Sequence, residues 1–182
     1  MSLRADATLE AFINRIIRNQ EIMEILKLPV ISNEDSQDLI DEKRVVLIDK
    51  FISKTSEISY ELGSEFPEVI INNITYSDYG KIRLTISFAQ SIKLNHDLFG
   101  NPQVDINIYY DNTEMNNVFK LVDLLSDEFS GQNLEVMIDN KKSFIRNIRC
   151  EGQTAQVAMI NNYERIGLRF SFFASLYKPK FN

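Results

Sequence analysis

Tryptophan is absent from this chain of 182 residues, and histidine and cysteine occur once each. With His96 as the only histidine, zinc sites built on paired histidines and a Ser/His/Asp relay have little to work with. The lone Cys150 cannot close an internal disulfide, which suits a reducing cytosol or a particle assembled there. The six glycines fall mostly at expected turns, and none builds a phosphate-cradling loop. No apolar run is long enough to cross a bilayer. The opening MSLRADATLEAF has no apolar stretch after its arginine, so no secretory signal is expected there. Positive charge is short too: 20 basic against 26 acidic residues leave a net charge of -6. General nucleic-acid binding needs a basic footprint to neutralise phosphates, and this chain lacks the excess. That shortage does not forbid a protein that lets DNA slide past without gripping it.

What is present is a hydrophobic share of 44%, with twelve Phe and seven Tyr, enough for one domain with a real core. The stretch from Val104 to Gly131 organises it. Val104, Ile106, Ile108 and Tyr110 alternate with polar neighbours and Tyr109, the period of a half-buried strand. Asp111-Asn112-Thr113 stops that strand and offers capping oxygens. Met115, Val118, Val122, Leu125 and Phe129 then follow at helical spacing, and Gly131 ends the helix. These residues specify an α+β domain: a mostly antiparallel β-sheet packed against a central helix, with an N-terminal helical segment.

Residues 5–26 read as one helix, with Leu9, Phe12, Ile13, Ile16 and Ile17 on its stripe, Asp6 as its cap and Pro29 behind its end. A second helix is favoured over Asp38–Ser53, although its Val45–Ile48 run also suits a buried strand. Residues 54–66 read as a connector. Val69–Tyr76 and Lys81–Ser87 read as a hairpin turning at 77–80, with Ile82, Leu84, Ile86 and Phe88 buried and Arg83, Thr85 and Ser87 wet. Leu134–Ile138 reads as a strand, Ser143–Cys150 and Thr154–Ile160 as a hairpin around Glu151-Gly152, and Glu164–Leu176 as the last strand. Two parts are expected: 1–64, an N-terminal helical segment that belongs to the same domain or extends to an interface, and 65–182, the α+β core. The loop 89–103 is long and carries Ile92, Leu94, Leu98 and Phe99, too apolar for a solvated linker. It is either a flap over its own core or an arm on a neighbouring subunit.

Chemistry-bearing constellations are few. Asp35, Asp38, Asp41 and Glu42 offer oxygens to a hard cation, but the ligand and glycine pattern of a calcium loop is missing, so a solvated helix start is the better reading. Arg165, Arg169, Phe173, Tyr177, Lys178 and Lys180 imitate a stacking platform for nucleic acid, against which the acidic total weighs. No catalytic, cofactor-binding or metal-binding residue is named, and no enzymatic activity is expected.

The order of elements, with the strand VDINIYYDNT, the helix NNVFKLVDLLSDEF and the closing strand ERIGLRFSFFASLY, resembles the tail terminator (tail completion) proteins of long-tailed bacteriophages and related neck or minor tail proteins. The likeness spans roughly residues 66–178 and is one of pattern, without a diagnostic motif. It implies a structural virion protein, assembled in the host cytoplasm, that forms a ring, usually a hexamer, on the end of the tail tube. Its partners would be the tail tube protein, the head-tail connector or neck protein, and the sheath in a contractile tail, with DNA passing through the lumen unbound. A closed ring needs two different patches on each subunit. The loop residues Ile92, Leu94, Leu98 and Phe99, and Phe12 and Ile16 of the N-terminal helix, are the expected interface. Asp105, Glu114, Asp123, Asp127 and Glu128 are expected on acidic exposed faces. The alternative is a monomeric or dimeric adaptor that binds another protein.

Overall fold

The computed structural model describes residues 3–52, 69–76, 81–90, 92, 96–98, 100–155 and 163–174. The expected α+β architecture is present. Five antiparallel strands, β4 (Ile82–Phe88), β6 (Gln103–Asp111), β7 (Leu134–Ile138), β8 (Lys141–Ala155) and β9 (Tyr163–Phe173), stand in the order β4-β6-β9-β8-β7. The two smaller pairings are β1 (Leu3–Arg4) with β5 (Asp97–Leu98), and β2 (Val69–Ile71) with β3 (Ile74–Tyr76). Helices α1 (Ala5–Ile16) and α4 (Met115–Phe129) cover one face of the sheet, and α1 touches both edge strands, β4 and β7. The core joins these layers through aromatic rings. Phe12 of α1 lies 4.8 Å from Phe129 of α4 and 6.2 Å from both Phe170 and Phe172 of β9, while Phe129 meets Phe170 edge-on at 5.3 Å.

The N-terminal helix does not run unbroken to residue 26. It stops at Ile16, because the Asn19 side chain accepts from the Ile22 backbone N–H at 3.1 Å and starts α2 (Gln20–Ile25) afresh. Nor does Pro29 end α2. Lys27 takes a left-handed turn (φ 56°), its N–H donates to Glu24 O at 3.1 Å, and the Leu28 N–H reaches back to Met23 O at 2.9 Å. Asp6 lies in the first turn rather than at the cap, which is Arg4. The helix favoured after it exists as α3 (Gln37–Phe51), capped by Ser36 Oγ and burying Lys43, Leu47 and Phe51.

Two expected hairpins are rearranged. Val69–Tyr76 is itself a hairpin, β2–β3, turning on Asn72 and Asn73 at φ 50° and 60°. Strand β4 pairs instead with β6, from Ile82↔Tyr110 to Phe88↔Val104, and the turn placed at 77–80 lies outside the described residues. Arg83 and Thr85, expected wet, are buried. Glu151-Gly152 is no turn either: β8 runs straight through it, with a bulge between Cys150 and Gly152 that the glycine accommodates at φ 122°. Among the described residues no helix is long and apolar enough to cross a membrane.

Candidate functional site

The strand pleat sends alternate residues of the sheet to the side that no described helix covers. There the register sets Arg83 beside Tyr109 and Tyr109 beside Arg165, then Asp105 beside Arg169, Ser171 beside Arg149 and Phe173 beside Arg146. Five of the nine arginines of an acidic chain therefore share one face. Arg169 grips Asp105 through two bonds of 2.8 and 2.9 Å, which raise the guanidinium pKa further. Asp105 is thereby spent inside the sheet and does not supply the exposed acidic face expected of it.

Towards the β7 edge this face turns apolar. Phe144 stands opposite Glu135, and Phe173 opposite Arg146. Met137, Phe144 and Phe173 are 52%, 48% and 55% exposed. Lys142 is engaged by Glu135 at 3.0 Å, whereas Arg146 and Arg149 have no ion pair among the described residues. The patch borders two clefts of about 410 and 440 Å³ between α1 and β7, which share Ala11, Asn14, Arg18 and Glu135. In their walls Arg15 and Asn19 both hold Glu128, and Arg44 donates to Asn14 Oδ1 at 3.2 Å.

A second apolar patch lies on the outer side of α4. Met115 and Phe119, one turn apart, are 40% and 51% exposed, so Met115 is not on the core stripe where its spacing placed it. Leu121 takes that place in the core. Asp123 and Asp127 continue the exposed side at the same spacing and are without a cation partner among the described residues. The nearby Lys120 points to Glu21 at 3.4 Å.

The expected interface is largely consumed by the chain's own core. Phe12 and Ile16 are fully buried, and so nearly is Leu98. The reason is the β1–β5 pairing: Leu3 lies opposite Leu98, and the Ala5 N–H donates to His96 O at 3.0 Å, drawing the loop under the N-terminal helix. Ile92 packs half-buried against the same core, and Leu94 and Phe99 lie outside the described residues. The described part of the loop is thus a flap, not an arm. Of the other expected acidic faces, Glu114 and Glu128 are mostly covered and face Lys81 and Arg15, leaving only Asp123 and Asp127 exposed as expected.

No group of His, Cys, Asp and Glu among the described residues could hold a metal. The acidic stretch that begins α3 is taken up locally: Asp35 accepts from Lys43 Nζ at 2.7 Å, Asp41 from Gln37 and Glu42 from the Asn72 N–H. Of the nucleic-acid platform, Arg165, Arg169 and Phe173 do share a face, while Tyr177, Lys178 and Lys180 lie outside the described residues. No family model matches this chain, and no curated protein matches it. Of the exposed aromatic residues, Phe173 on β9 was singled out in the sequence, whereas Phe144 on β8 and Phe119 on α4 were missed, because a Phe at a strand or helix position reads as core until its face is known.

Proposed function

We propose that this chain is a structural subunit of a long-tailed bacteriophage, a tail terminator or neck ring component that caps the tail tube and joins it to the head connector. The observation that carries the reading is the pair of unlike apolar patches, one on the outer side of α4 and one at the β7 end of the sheet. A head-to-tail ring requires each subunit to present two different surfaces, and rims of opposite charge favour one arrangement of copies over others. Met, Phe and Arg on these patches are also the residue types that protein interfaces favour. The resemblance of the element order to tail terminators is what suggests the tube and connector as partners, and the net charge of -6 suits a passage through which DNA moves unbound.

The test is to polymerise tail tube protein from the same phage with and without the purified chain. Tubes of limited length, each ending in a ring seen by electron microscopy, are the expected result. Tubes that grow unchecked and bare-ended at saturating chain would refute the proposal. One-to-one binding to tube or connector protein without a ring would make the chain an adaptor.

A further inference from the structure

We infer that the outer side of α4 in one copy docks on the Met137/Phe144/Phe173 patch of the next, with Asp123 and Asp127 set against Arg146 and Arg149. The inference rests on the ring reading above and names the contact that would build the ring. Each patch has an apolar centre too large to be a scattered surface residue: Met115 with Phe119 on the helix, and Met137, Phe144 and Phe173 on the sheet. Beside each centre charge of one sign predominates. Lys120 is turned to Glu21, which leaves the helix patch acidic. Glu135 is turned to Lys142 and Glu151 accepts from the Ser171 hydroxyl, so Arg146 and Arg149 are the outward charges that set the sheet patch's sign. Neither patch suits a copy of itself, since a two-fold contact would set like charge against like. Each suits the other.

The two patches also lie on different layers. α4 faces the sheet with Val118, Leu121, Val122, Leu125 and Phe129, so its outer side points away from the strands. The second patch lies on the sheet face that no described helix covers. One copy can therefore engage two neighbours at once, and the contact propagates until it closes. The Arg-rich face could also attract nucleic acid, but the apolar pairing and the acidic partner surface favour protein.

Charge exchange tests the contact. Sedimentation and native mass spectrometry at low salt should show assemblies of the wild-type chain that loosen as salt rises. Reversing one patch, by Asp123→Arg with Asp127→Arg or by Arg146→Asp with Arg149→Asp, should weaken assembly roughly a hundredfold, the scale of like-charge juxtaposition at an interface. Circular dichroism and the melting temperature should stay unchanged, because all four positions are exposed. Mixing the two variants should restore assembly, with copies alternating. As an independent readout, Phe119→Cys and Phe144→Cys in a Cys150→Ser background should cross-link copies into a ladder under oxidation.

A chain that stays monomeric, with no ladder, overturns the inference. Assembly that survives both reversals, or variants that fail to rescue one another while folded, also overturns it. Salt-sensitive binding of single-stranded DNA that depends on Arg146 and Arg149, in place of assembly, would assign the sheet patch to nucleic acid instead. Assembly that passes these tests but never caps tail tubes would leave the contact standing and remove the tail terminator reading.

Discussion

Replacing Phe12 separates two roles for the N-terminal helix, a member of the core or an arm for a neighbour. Phe12 is fully buried and meets three rings, at 4.8, 6.2 and 6.2 Å. Truncation to alanine removes a ring from the junction of α1, α4 and β9, where the backbone on three sides limits collapse. Such changes cost about 3–5 kcal/mol, and the central position argues for about 4. Phe12→Leu keeps most of the volume and loses the ring contacts. Only the 4.8 Å contact is close, so about 1–2 kcal/mol is expected from the aromatic and shape terms together. Against a total of about 5–15 kcal/mol, the alanine variant is close to the limit of folding. Urea unfolding of dilute monomer, followed by circular dichroism, measures both, and the slope should stay constant while the midpoint moves. A Phe12→Ala variant that loses less than about 1 kcal/mol as a monomer would refute the core assignment.

Two further outcomes concern pH. The Lys43 ammonium, then the Ser32 N–H, hold the Asp35 carboxyl below its ordinary value, so its contribution is full above the unfolded pKa and is lost as pH falls through the lowered folded one. Asp35→Asn should lower stability at neutral pH and flatten the acid limb of a stability-against-pH curve, and an unchanged limb would show that the pair is not coupled to folding. Burial, then the Glu164 carboxylate that its hydroxyl meets at 2.7 Å, pushes the Tyr110 phenol up to about 12. The unfolded chain gives up that proton near pH 10, so stability should fall as pH rises from about 10 to 12. Phenolate absorbance should show one tyrosine titrating late, and Tyr110→Phe should remove it.

The strand, turn and helix from residue 103 to 129 were legible because their periods are clean and their punctuation, Asp111 to Thr113 and Gly131, is local chemistry. So were β7 and β9. The hairpin partners were not, because local signals say where a chain turns and not which strand it meets. Val69–Tyr76 hid its own turn in Asn72-Asn73, and Gly152 serves a bulge as readily as a turn. The break after Ile16 depends on one asparagine side chain choosing a backbone N–H. The inward direction of Phe12, Ile16 and Leu98 was hidden for a related reason. Hydrophobicity in the loop and in α1 was visible, but whether it faces inward depends on β1 pairing with β5, two residues against two across more than ninety positions. The exposed rings of β8, β9 and α4 were equally visible as residues, and only the pleat and the helix phase reveal their direction.

The last of the described strands along the chain, β9, occupies the middle of the sheet, and it carries two of the rings that Phe12 needs. Until the ribosome has delivered residue 173, β6 and β8 have no shared neighbour and Phe12 of α1 lacks two of its three ring contacts. Nucleation must therefore wait for contacts between distant parts of the chain, which slows it and leaves greasy surface uncovered meanwhile. A nascent chain stalled before β9 should be protease-sensitive and held by chaperones until the central strand arrives.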